Sequence, residues 1–492
     1  MGFRYSLLTG LRFNRIAALL QVTLYILIFL TAVIISARKR DTFVWRWMLL
    51  AGSYVLYLTW SRWFVAVLLG STLVNFAVGG WLRRRQAWPA LSLGIVFNLG
   101  LLGAFKYLPE MGVSGFAHWA MPLGLSFWTF QAMGYLFDQY RGEELGPSLP
   151  EFALYMAFFP VTISGPVCRM PDMLPQFRSA GPACASDRER GFSRIAIGVL
   201  MMQLGKLLGQ GILAGDGIHS GFDRAQQWSG PDVWCLAVGF GLQLFFDFAG
   251  YSHIAIGAAQ MMGIRIPENF DRPFGSETPS VFWTRWHMSL SFWIRDYVFL
   301  PLAMMGRSMV WRNLVLVIAM ALFGLWHKAS CLFLIWGCYH GALLVAHRQI
   351  QQLQKQFDWK PPEPLWTLLS WATTMALVSL GWIFFRANSL SQAQQMLTAV
   401  FSPASYAMHY LSGSLYLLVL ALAAGYAVAL ALGDALKRQS ESGQTATSGA
   451  LALLANKRWY WLPPLYVLFL AVVLMVTLTQ TASTAQFMYR AF

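Results

Sequence analysis

The chain has 492 residues, of which 57% are hydrophobic and only 12% are charged. Soluble globular proteins carry about 25% charged residues, so this composition excludes an ordinary soluble protein. The mean hydropathy is +0.51, and apolar stretches of about 20 residues recur along the chain, which predicts one polytopic membrane body. The net charge is +15. Short basic clusters beside apolar stretches are typical of cytoplasmic loops and argue against a nucleic-acid-binding surface.

The chain has fourteen apolar segments, of which 46–59 and 63–82 are interpreted as a short or tilted pair, and together they predict roughly eleven to thirteen transmembrane or re-entrant helices. Proline and glycine interrupt 122–140, which we expect to be broken. The segment 158–170 is half the length of a span, and we expect it to be re-entrant. The first span lacks a small-residue cleavage site, so it is interpreted as a retained helix. In chain order the predicted segments are 16–36, 46–59, 63–82, 91–107, 122–140, 158–170, 195–213, 234–262, 281–302, 313–326, 331–346, 365–385, 415–432 and 462–481.

Polar and charged residues gather between the apolar runs of 245–345. Ionisable groups are costly in hydrocarbon, so this clustering predicts a water-accessible cavity. If 281–302 is one helix, Trp283, His287 and Ser291 share one of its faces. The residues concerned are Asp247, Tyr251, Ser252, His253, Glu268, Asn269, Asp271, Arg272, Arg285, His287, Ser289, Ser291, Arg295, Asp296, His327, Lys328 and His340.

Two histidines lie in the apolar stretch 323–344. His327 and His340 are thirteen residues apart, about 3.6 helical turns, so one continuous helix would place them on different faces. Gly324 and the polar sequence HKAS predict a helix break or end near His327. His340 lies in a smoother helix and is interpreted as structural. The histidine spacings are not those of a metal site. The sequence also lacks a phosphate-binding glycine loop and a GxSxG nucleophile motif.

The ordered motifs resemble those of the membrane-bound O-acyltransferase (MBOAT) family. The similarity is to its bacterial branch, which contains the membrane subunits of alginate and peptidoglycan O-acetyltransferases. The motifs are MPLGLSFWTFQAMGYLFDQYRGE (121–143), FFPVTISGPVCR (158–169), FDFAGYSHIAIG (246–257), PENFDRPF (267–274), FWTRWHMSLSFWIRDYVFLPL (282–302), GLWHKASCLFLIWGCYHG (324–341), GWIFFRANSLSQAQQML (381–397) and QFMYRAF (486–492).

The resemblance implies an all-α polytopic fold with helices around a central tunnel. It implies one membrane domain over 1–492, with N-terminal helices in 1–110, a catalytic core in 121–347 and C-terminal helices in 365–492. His327 matches the near-invariant catalytic histidine of the family, and His287 matches its second histidine. The weaker candidates for binding the substrate are Asn269, Arg285, Arg295 and Lys328.

The reaction that the resemblance implies is acyl transfer from a thioester to a hydroxyl group. We expect acetyl-CoA as the donor on the cytoplasmic side, with no bound cofactor and no metal. We also expect an extracytoplasmic SGNH-type acetyltransferase partner and a polysaccharide acceptor, with the chain in the cell inner membrane. The alternative is D-alanyl transfer from a carrier protein to a cell-envelope polymer. A transporter is disfavoured because the sequence shows no inverted repeat with paired broken helices.

Two residues depart from the family pattern. Lys328 follows the expected catalytic histidine where glycine is usual, and His253 occupies a position that is usually acidic. A cation beside His327 is expected to lower the pKa of its imidazole or to meet an anionic donor. His253 is expected to remove a charge partner.

Overall fold

The computed structural model describes residues 5–38, 42–116, 119–178, 182–212, 215–224, 227–358, 362–363 and 365–441. The predicted span 462–481 and the motif QFMYRAF lie outside these residues. Within them the fold is helical, and the extended pairing is limited to one antiparallel bridge between Phe270 and Trp286. Eight helices of the described part are long and apolar enough to cross a membrane. The predicted all-α, multi-pass membrane fold is therefore confirmed.

Nineteen α-helices follow one another in the part of the chain that the structure describes. The first nine are α1 (Tyr5–Ala37), α2 (Thr42–Leu58), α3 (Arg62–Arg84), α4 (Trp88–Leu102), α5 (Leu108–Glu110), α6 (Leu125–Tyr140), α7 (Leu149–Ala157), α8 (Met170–Arg178) and α9 (Ala185–Gln210). The others are α10 (Ile218–Asp223), α11 (Gly230–Met261), α12 (Pro279–Arg285), α13 (Met288–Ile294), α14 (Leu300–Met304), α15 (Met309–His327), α16 (Cys331–Gln356), α17 (Leu365–Arg386), α18 (Leu390–Phe401) and α19 (Gly413–Glu441).

The chain forms two compact units that alternate along the sequence. The first unit contains Met1–Ile197, Tyr251–Asn269 and Met288–Pro301. The second unit contains Gly198–Gly250, Phe270–His287 and Leu302–Phe492. The prediction of a single membrane domain with three consecutive parts stays a prediction.

The first unit is built on an apolar core and a few paired polar groups. Trp45 and Trp128 are fully buried in that core. Between α3 and α4, Asn75 and Asn98 exchange amide hydrogen bonds of 2.7 and 3.2 Å. Such a pair satisfies the amides that hydrocarbon cannot solvate, and it also joins the two helices.

Glu151, in α7, joins this helix to α2 and α8 of the first unit. It completes a capping box with Ser148 at the start of α7. It also accepts hydrogen bonds from Arg46 at 2.6 Å and from Arg178 at 2.9 and 2.8 Å. The bonds from Arg178 lower the pKa of Glu151 to about 2, although burial opposes this shift. We expect the carboxylate to stay ionised and to hold α2, α7 and α8 in place.

Two predicted irregularities of the first unit turn out differently from each other. The expected irregularity within 122–140 is present only at its start, where residues 122–124 are non-helical and Gly124 has a φ of 71°. No break occurs at Gly134, because α6 runs through it without interruption. A Cβ at Gly134 would lie 3.1 Å from the indole nitrogen of Trp293, so this glycine serves close packing. The segment 158–170 was expected to be irregular. It is non-helical until α8 begins at Met170, and it is largely buried in protein.

The prediction of one helix over 281–302 is wrong. α12 ends at Arg285, and His287 has a positive φ of 44° before α13 begins at Met288. A π-helical turn, Arg295–Phe299, then precedes α14. The predicted shared face of Trp283, His287 and Ser291 therefore does not exist.

Candidate active site

His327 is the last residue of α15. Lys328 has extended backbone angles (φ −155°, ψ 136°) that stop the helix. The Ser330 hydroxyl then accepts a hydrogen bond from the backbone of Phe333 and caps the start of α16. This confirms the predicted helix end near His327. A histidine at a helix end has fewer neighbours on its own helix than one in the middle, so it reaches a site formed by several elements.

Small residues bring α15 and α16 close together. A Cβ at Gly324 would overlap the carbonyl oxygen of Phe333, and one at Gly337 would overlap the carbonyl oxygen of Met320. Gly337 and Gly341 also form the GxxxG spacing with which membrane helices approach each other closely. The position of His327 is therefore fixed by a tightly packed helix pair.

His287 lies in a strained link between α12 and α13. Its φ of 44° is uncommon for a residue with a side chain and costs about 1–3 kcal/mol. The bridge between Phe270 and Trp286, and a hydrogen bond of 3.0 Å from Asp271 N to the Arg285 carbonyl, hold the preceding residues in place. The side chain is almost fully buried. Its Nδ1 has no hydrogen-bond partner within the described residues.

The two histidines line one small cavity in the second unit. Its volume of about 20 Å³ has room for about one water molecule or a group of that size. The rings of His327 and Phe385 are 5.2 Å apart, and those of His287 and Phe248 are 4.5 Å apart. The lining residues are Leu244, Phe248, Trp286, His287, Trp326, His327, Trp336, Trp382 and Phe385.

The walls of this cavity are almost entirely aromatic or aliphatic. Sequence reasoning placed His287 and His327 but selected none of the seven apolar residues. The available signal was weak: all of them except Leu244 fall in the quoted family motifs, but aromatic residues are common along the whole chain. An apolar wall excludes water and strengthens electrostatic interactions with whatever polar group enters.

His340 does not line the cavity, although it packs against two of the residues that do. It is buried against Trp283, Trp336 and Trp382, with ring centres 5.0 to 6.5 Å away. Neither ring nitrogen has a hydrogen-bond partner within the described residues. Gly381 leaves room for the ring, since a Cβ there would lie 2.6 Å from Nε2. The interpretation of His340 as structural stays a prediction.

Asn269 belongs to the first unit and is fully buried in a polar network. Its amide donates to the Ser252 hydroxyl at 2.9 Å and accepts from the Ser289 hydroxyl at 2.5 Å. Ser289 in turn accepts from the backbone of Val167 at 2.9 Å, and Met288 N donates to the Asn269 carbonyl at 2.9 Å. Both the nitrogen and the oxygen of the side-chain amide therefore have hydrogen-bond partners in the protein, so a structural role explains the burial of Asn269.

The three predicted cations occupy different environments. Arg285, in the second unit, donates to the Gly275 carbonyl at 3.2 Å and is absent from the described cavity lining. Lys328, also in the second unit, is exposed at the helix end beside His327. Arg295, in the first unit, donates to the Asp296 carboxylate at 2.7 Å. The assignment of these side chains to substrate binding stays a prediction.

His253 lies in a charged group of the first unit. Arg194 forms a two-point ion pair with Glu268, with distances of 2.5 and 2.6 Å. The same guanidinium donates from Nε to His253 Nδ1 at 3.3 Å. Glu268 therefore supplies the carboxylate for Arg194, and the imidazole acts as an acceptor beside it.

Comparison with known proteins identifies the class to which this fold and these histidines belong. The sequence model described as "MBOAT, membrane-bound O-acyltransferase family" matches residues 114–385, more than half of the chain. The chain belongs to the membrane-bound O-acyltransferase family and is an acyltransferase. The match includes both histidines of the cavity.

Several curated relatives are similar over most of their length. "Probable alginate O-acetylase AlgI" of Pseudomonas syringae pv. tomato is 34% identical, covering 72% of this chain and 70% of the relative. "Peptidoglycan O-acetyltransferase" of Helicobacter pylori is 30% identical, covering 73% and 74%. "Teichoic acid D-alanyltransferase" of Streptococcus thermophilus is 32% identical, covering 54% and 68%.

Proposed function

We propose that this chain moves an acetyl group from cytoplasmic acetyl-CoA across the inner membrane for O-acetylation of an extracytoplasmic polysaccharide. The observation that carries this proposal is the meeting of His287 and His327 at one water-sized, aromatic-walled cavity. The names of the alginate and peptidoglycan relatives support a polymer as the final acceptor. An extracytoplasmic SGNH-type partner would complete the last transfer.

His327 acts as the general base in this proposal. An alcohol is a weak nucleophile, and a histidine with an ordinary pKa near neutrality accepts its proton as the oxygen attacks the thioester carbonyl carbon. The carbon–sulfur bond then breaks, the acetyl group remains on the oxygen, and the imidazolium returns the proton to the departing thiolate. In a second route the imidazole nitrogen attacks the thioester carbon, the carbon–sulfur bond breaks and the thiolate leaves, which gives an acetyl-histidine. The hydroxyl oxygen then attacks the acetyl carbon, the carbon–nitrogen bond breaks, and the hydroxyl proton passes to the imidazole.

His287 supports the reaction as a polar group that orients His327 or the thioester carbonyl. The strained backbone of His287 fits this role, because strain of this kind persists where the surrounding structure holds a functional group in place. The aromatic walls exclude bulk water, which would otherwise hydrolyse the thioester. In the state described by the structure, the cavity is too small for a long acyl chain.

D-alanyl transfer from a carrier protein is the second candidate. The similarity to a protein named teichoic acid D-alanyltransferase favours it, although that match covers only 54% of this chain. The chemistry at His327 would be the same, since both reactions pass an acyl group from a thioester to a hydroxyl. The two candidates differ in the acyl donor and in the acceptor polymer.

Labelled donors offered to membranes containing the full chain test the proposal. Labelled acetyl-CoA should give label on a hydroxyl-bearing polymer or on an extracytoplasmic partner, whereas D-alanyl carrier protein should not. The His327→Ala variant should lose the transfer, and the matched His409→Ala variant, in which an exposed histidine of the second unit is replaced, should keep it. Transfer from the D-alanyl carrier alone would replace the acetyl proposal with the second candidate.

A further inference from the structure

Two arginines of the first unit lie on one buried tyrosine, and a third arginine shares a carboxylate with one of them. The guanidinium carbons of Arg141 and Arg169 lie 5.0 and 5.2 Å from the ring centre of Tyr297. Arg169 and Arg295 each donate to the Asp296 carboxylate at 2.7 Å, and Arg141 donates to the backbone carbonyl of Asp296 at 2.7 Å. We call Arg141, Arg169 and Arg295 the arginine cluster.

The arginine cluster has more donors than its protein partners use. Each guanidinium has five N–H donors, and each uses one of them in the bonds given above. Hydrogen bonds from Arg295 and Arg169 hold the pKa of Asp296 below its usual range, although partial burial opposes ionisation. The Asp296 carboxylate accepts from two of the guanidinium groups, and the Asp138 carboxylate interacts electrostatically with Arg141 and Arg169, so two carboxylates face three guanidinium groups. The side chains of Arg169 and Arg295 are 29% and 54% exposed, so a ligand can reach them.

Besides Asp296, two carboxylates lie in this region, and neither takes up the spare donors. Asp138 is buried and accepts a hydrogen bond of 2.7 Å from the Tyr297 hydroxyl. Glu143 lies on the loop after α6, where it is exposed and solvent screens its charge. The donors of the arginine cluster therefore remain available to an anion from solution or from the membrane surface.

The Tyr297 ring, on which Arg141 and Arg169 lie, is held rigidly. Tyr297 lies in the π-helical turn Arg295–Phe299, a rare conformation that is frequent at functional sites. Its ring is 4% exposed and stacks on Phe137 with 5.5 Å between the ring centres. A guanidinium that lies on an aromatic ring keeps its plane fixed while its N–H groups stay free to bind in that plane. Little side-chain freedom would be lost when an anion binds.

We propose that the arginine cluster is a phosphate-binding site. Fixed guanidinium groups match the geometry of phosphate oxygens and form two-point hydrogen bonds with them. Two ligands carry this chemistry: the phosphates of the coenzyme A donor and the headgroup of an anionic phospholipid. The assignment to the donor rests on the function proposed above, whereas the existence of the site does not.

Equilibrium binding to the full chain in neutral detergent tests the proposal. Coenzyme A is the probe, and pantetheine, which has the same thiol arm without phosphates, is the comparison. In Arg169→Gln and in Arg295→Gln we expect coenzyme A to bind about tenfold more weakly, the loss expected for one charged hydrogen bond. Pantetheine binding should not change. Arg307→Gln, an exposed arginine of the second unit, is the matched control and should bind coenzyme A normally.

A second experiment tests whether the phosphate group that binds the arginine cluster belongs to a phospholipid headgroup. The chain is placed in phosphatidylcholine vesicles with and without phosphatidylglycerol, and its thermal midpoint is measured. If the site takes a lipid headgroup, phosphatidylglycerol raises the midpoint of the wild type and of Arg307→Gln more than that of Arg295→Gln. Coenzyme A binding then stays the same in every variant. The proposal is overturned if the cluster variants change neither coenzyme A binding nor the midpoint shift caused by phosphatidylglycerol. It is also overturned if Arg307→Gln reduces both of these as much as the cluster variants do.

These binding measurements need no turnover, so they separate the two proposals. If coenzyme A binding depends on the cluster but no acetyl transfer occurs, the function is wrong and the site stands. If transfer from acetyl-CoA occurs but binding of neither phosphate ligand depends on the cluster, the site is wrong and the function stands. Arg295 is the most exposed of the measured pair, so its variant keeps the test valid if Arg169→Gln does not fold.

Discussion

In the first unit, the buried amides of Asn75, Asn98 and Asn269 hydrogen-bond to neighbouring side chains. In the second unit, Nδ1 of His287 and both ring nitrogens of His340 lack a hydrogen-bond partner within the described residues. This contrast holds for these amides and imidazoles and not for the two units as wholes, because Asp138 Oδ2 of the first unit also lacks a partner within the described residues, while Asp232 of the second unit accepts several hydrogen bonds. The amides are satisfied by the protein, and these imidazole nitrogens are enclosed by aromatic rings.

Among these groups, the amides hold the fold and His287 is available for chemistry, whereas His340 lacks partners but does not line the cavity. A buried polar atom without a partner destabilises a protein by about 1–3 kcal/mol, so such atoms are rare unless they meet a ligand. His287 meets this description, since it also lines the cavity that contains His327. We therefore expect changes to the amides to affect stability, and changes to the histidines of the cavity to affect turnover.

The largest effect on stability is expected for Asn269→Ala. Removing the amide leaves the hydroxyl groups of Ser252 and Ser289 without this partner in a buried site, so stability should fall by about 2–4 kcal/mol. The thermal midpoint of the chain in detergent measures the loss. Gln395→Ala, which removes an exposed amide from α18, is the control and should change the midpoint little. Equal midpoints for Asn269→Ala and the wild type would show that this network does not stabilise the fold.

Glu151→Gln should destabilise the first unit by about 1.5–3 kcal/mol at neutral pH, the range for hydrogen bonds to charged groups. The folded-state pKa of about 2 lies below the ordinary value of 4.5. The stabilisation is therefore complete above pH 4.5 and is lost as the pH falls through about 2. Thermal midpoints measured from pH 7 down to pH 2 should converge for the wild type and the variant. A constant difference over this range would contradict the role of the ionised carboxylate.

His287→Asn should lower acetyl transfer about 10- to 100-fold, the size expected for losing one polar group that positions the reaction. Asparagine tolerates a positive φ better than most residues, so the link between α12 and α13 should keep its shape. The rate of label transfer from acetyl-CoA and the thermal midpoint are measured together. An unchanged rate would remove His287 from the mechanism, and a large fall in the midpoint would make its role structural.

The smallest effect is expected for the Asn75–Asn98 pair. Either single change to leucine should cost about 1–2 kcal/mol, because the remaining amide loses its partner inside the membrane. The double leucine variant should recover part of this loss, since no buried amide remains. Thermal midpoints of the two single variants and the double variant provide the test. A double variant as destabilised as the sum of the singles would show that the two amides act independently.

Local sequence signals predicted most of the helices, and the family motifs predicted both histidines of the candidate site. Hydropathy predicted spans such as α3 and α17, and Gly324 with the polar residues after it predicted that α15 ends at His327. These signals suffice because an apolar run and a helix end depend on neighbouring residues. The motif GLWHKASCLFLIWGCYHG then placed His327 by resemblance to the family.

Long-range packing explains the errors. The helix break at His287 depends on the pairing of Trp286 with Phe270, sixteen residues away. The residues next to His287 contain no local signal for this break. Gly134 was interpreted as a helix breaker, whereas its lack of a side chain makes room for Trp293. The aromatic wall of the cavity was missed for the same reason, because its residues come from several helices that meet only in the folded chain.

The single-turnover rate of acetyl transfer in His327→Asn tests whether His327 is the general base of the reaction. Wild type, His327→Asn and the exposed-site control His409→Asn are compared with labelled acetyl-CoA, and all three are checked for equal thermal midpoints. If His327 is the general base, we expect the rate to fall about 100-fold or more in His327→Asn and to stay normal in His409→Asn. A His327→Asn rate within about threefold of the wild type, at an equal midpoint, would contradict this role.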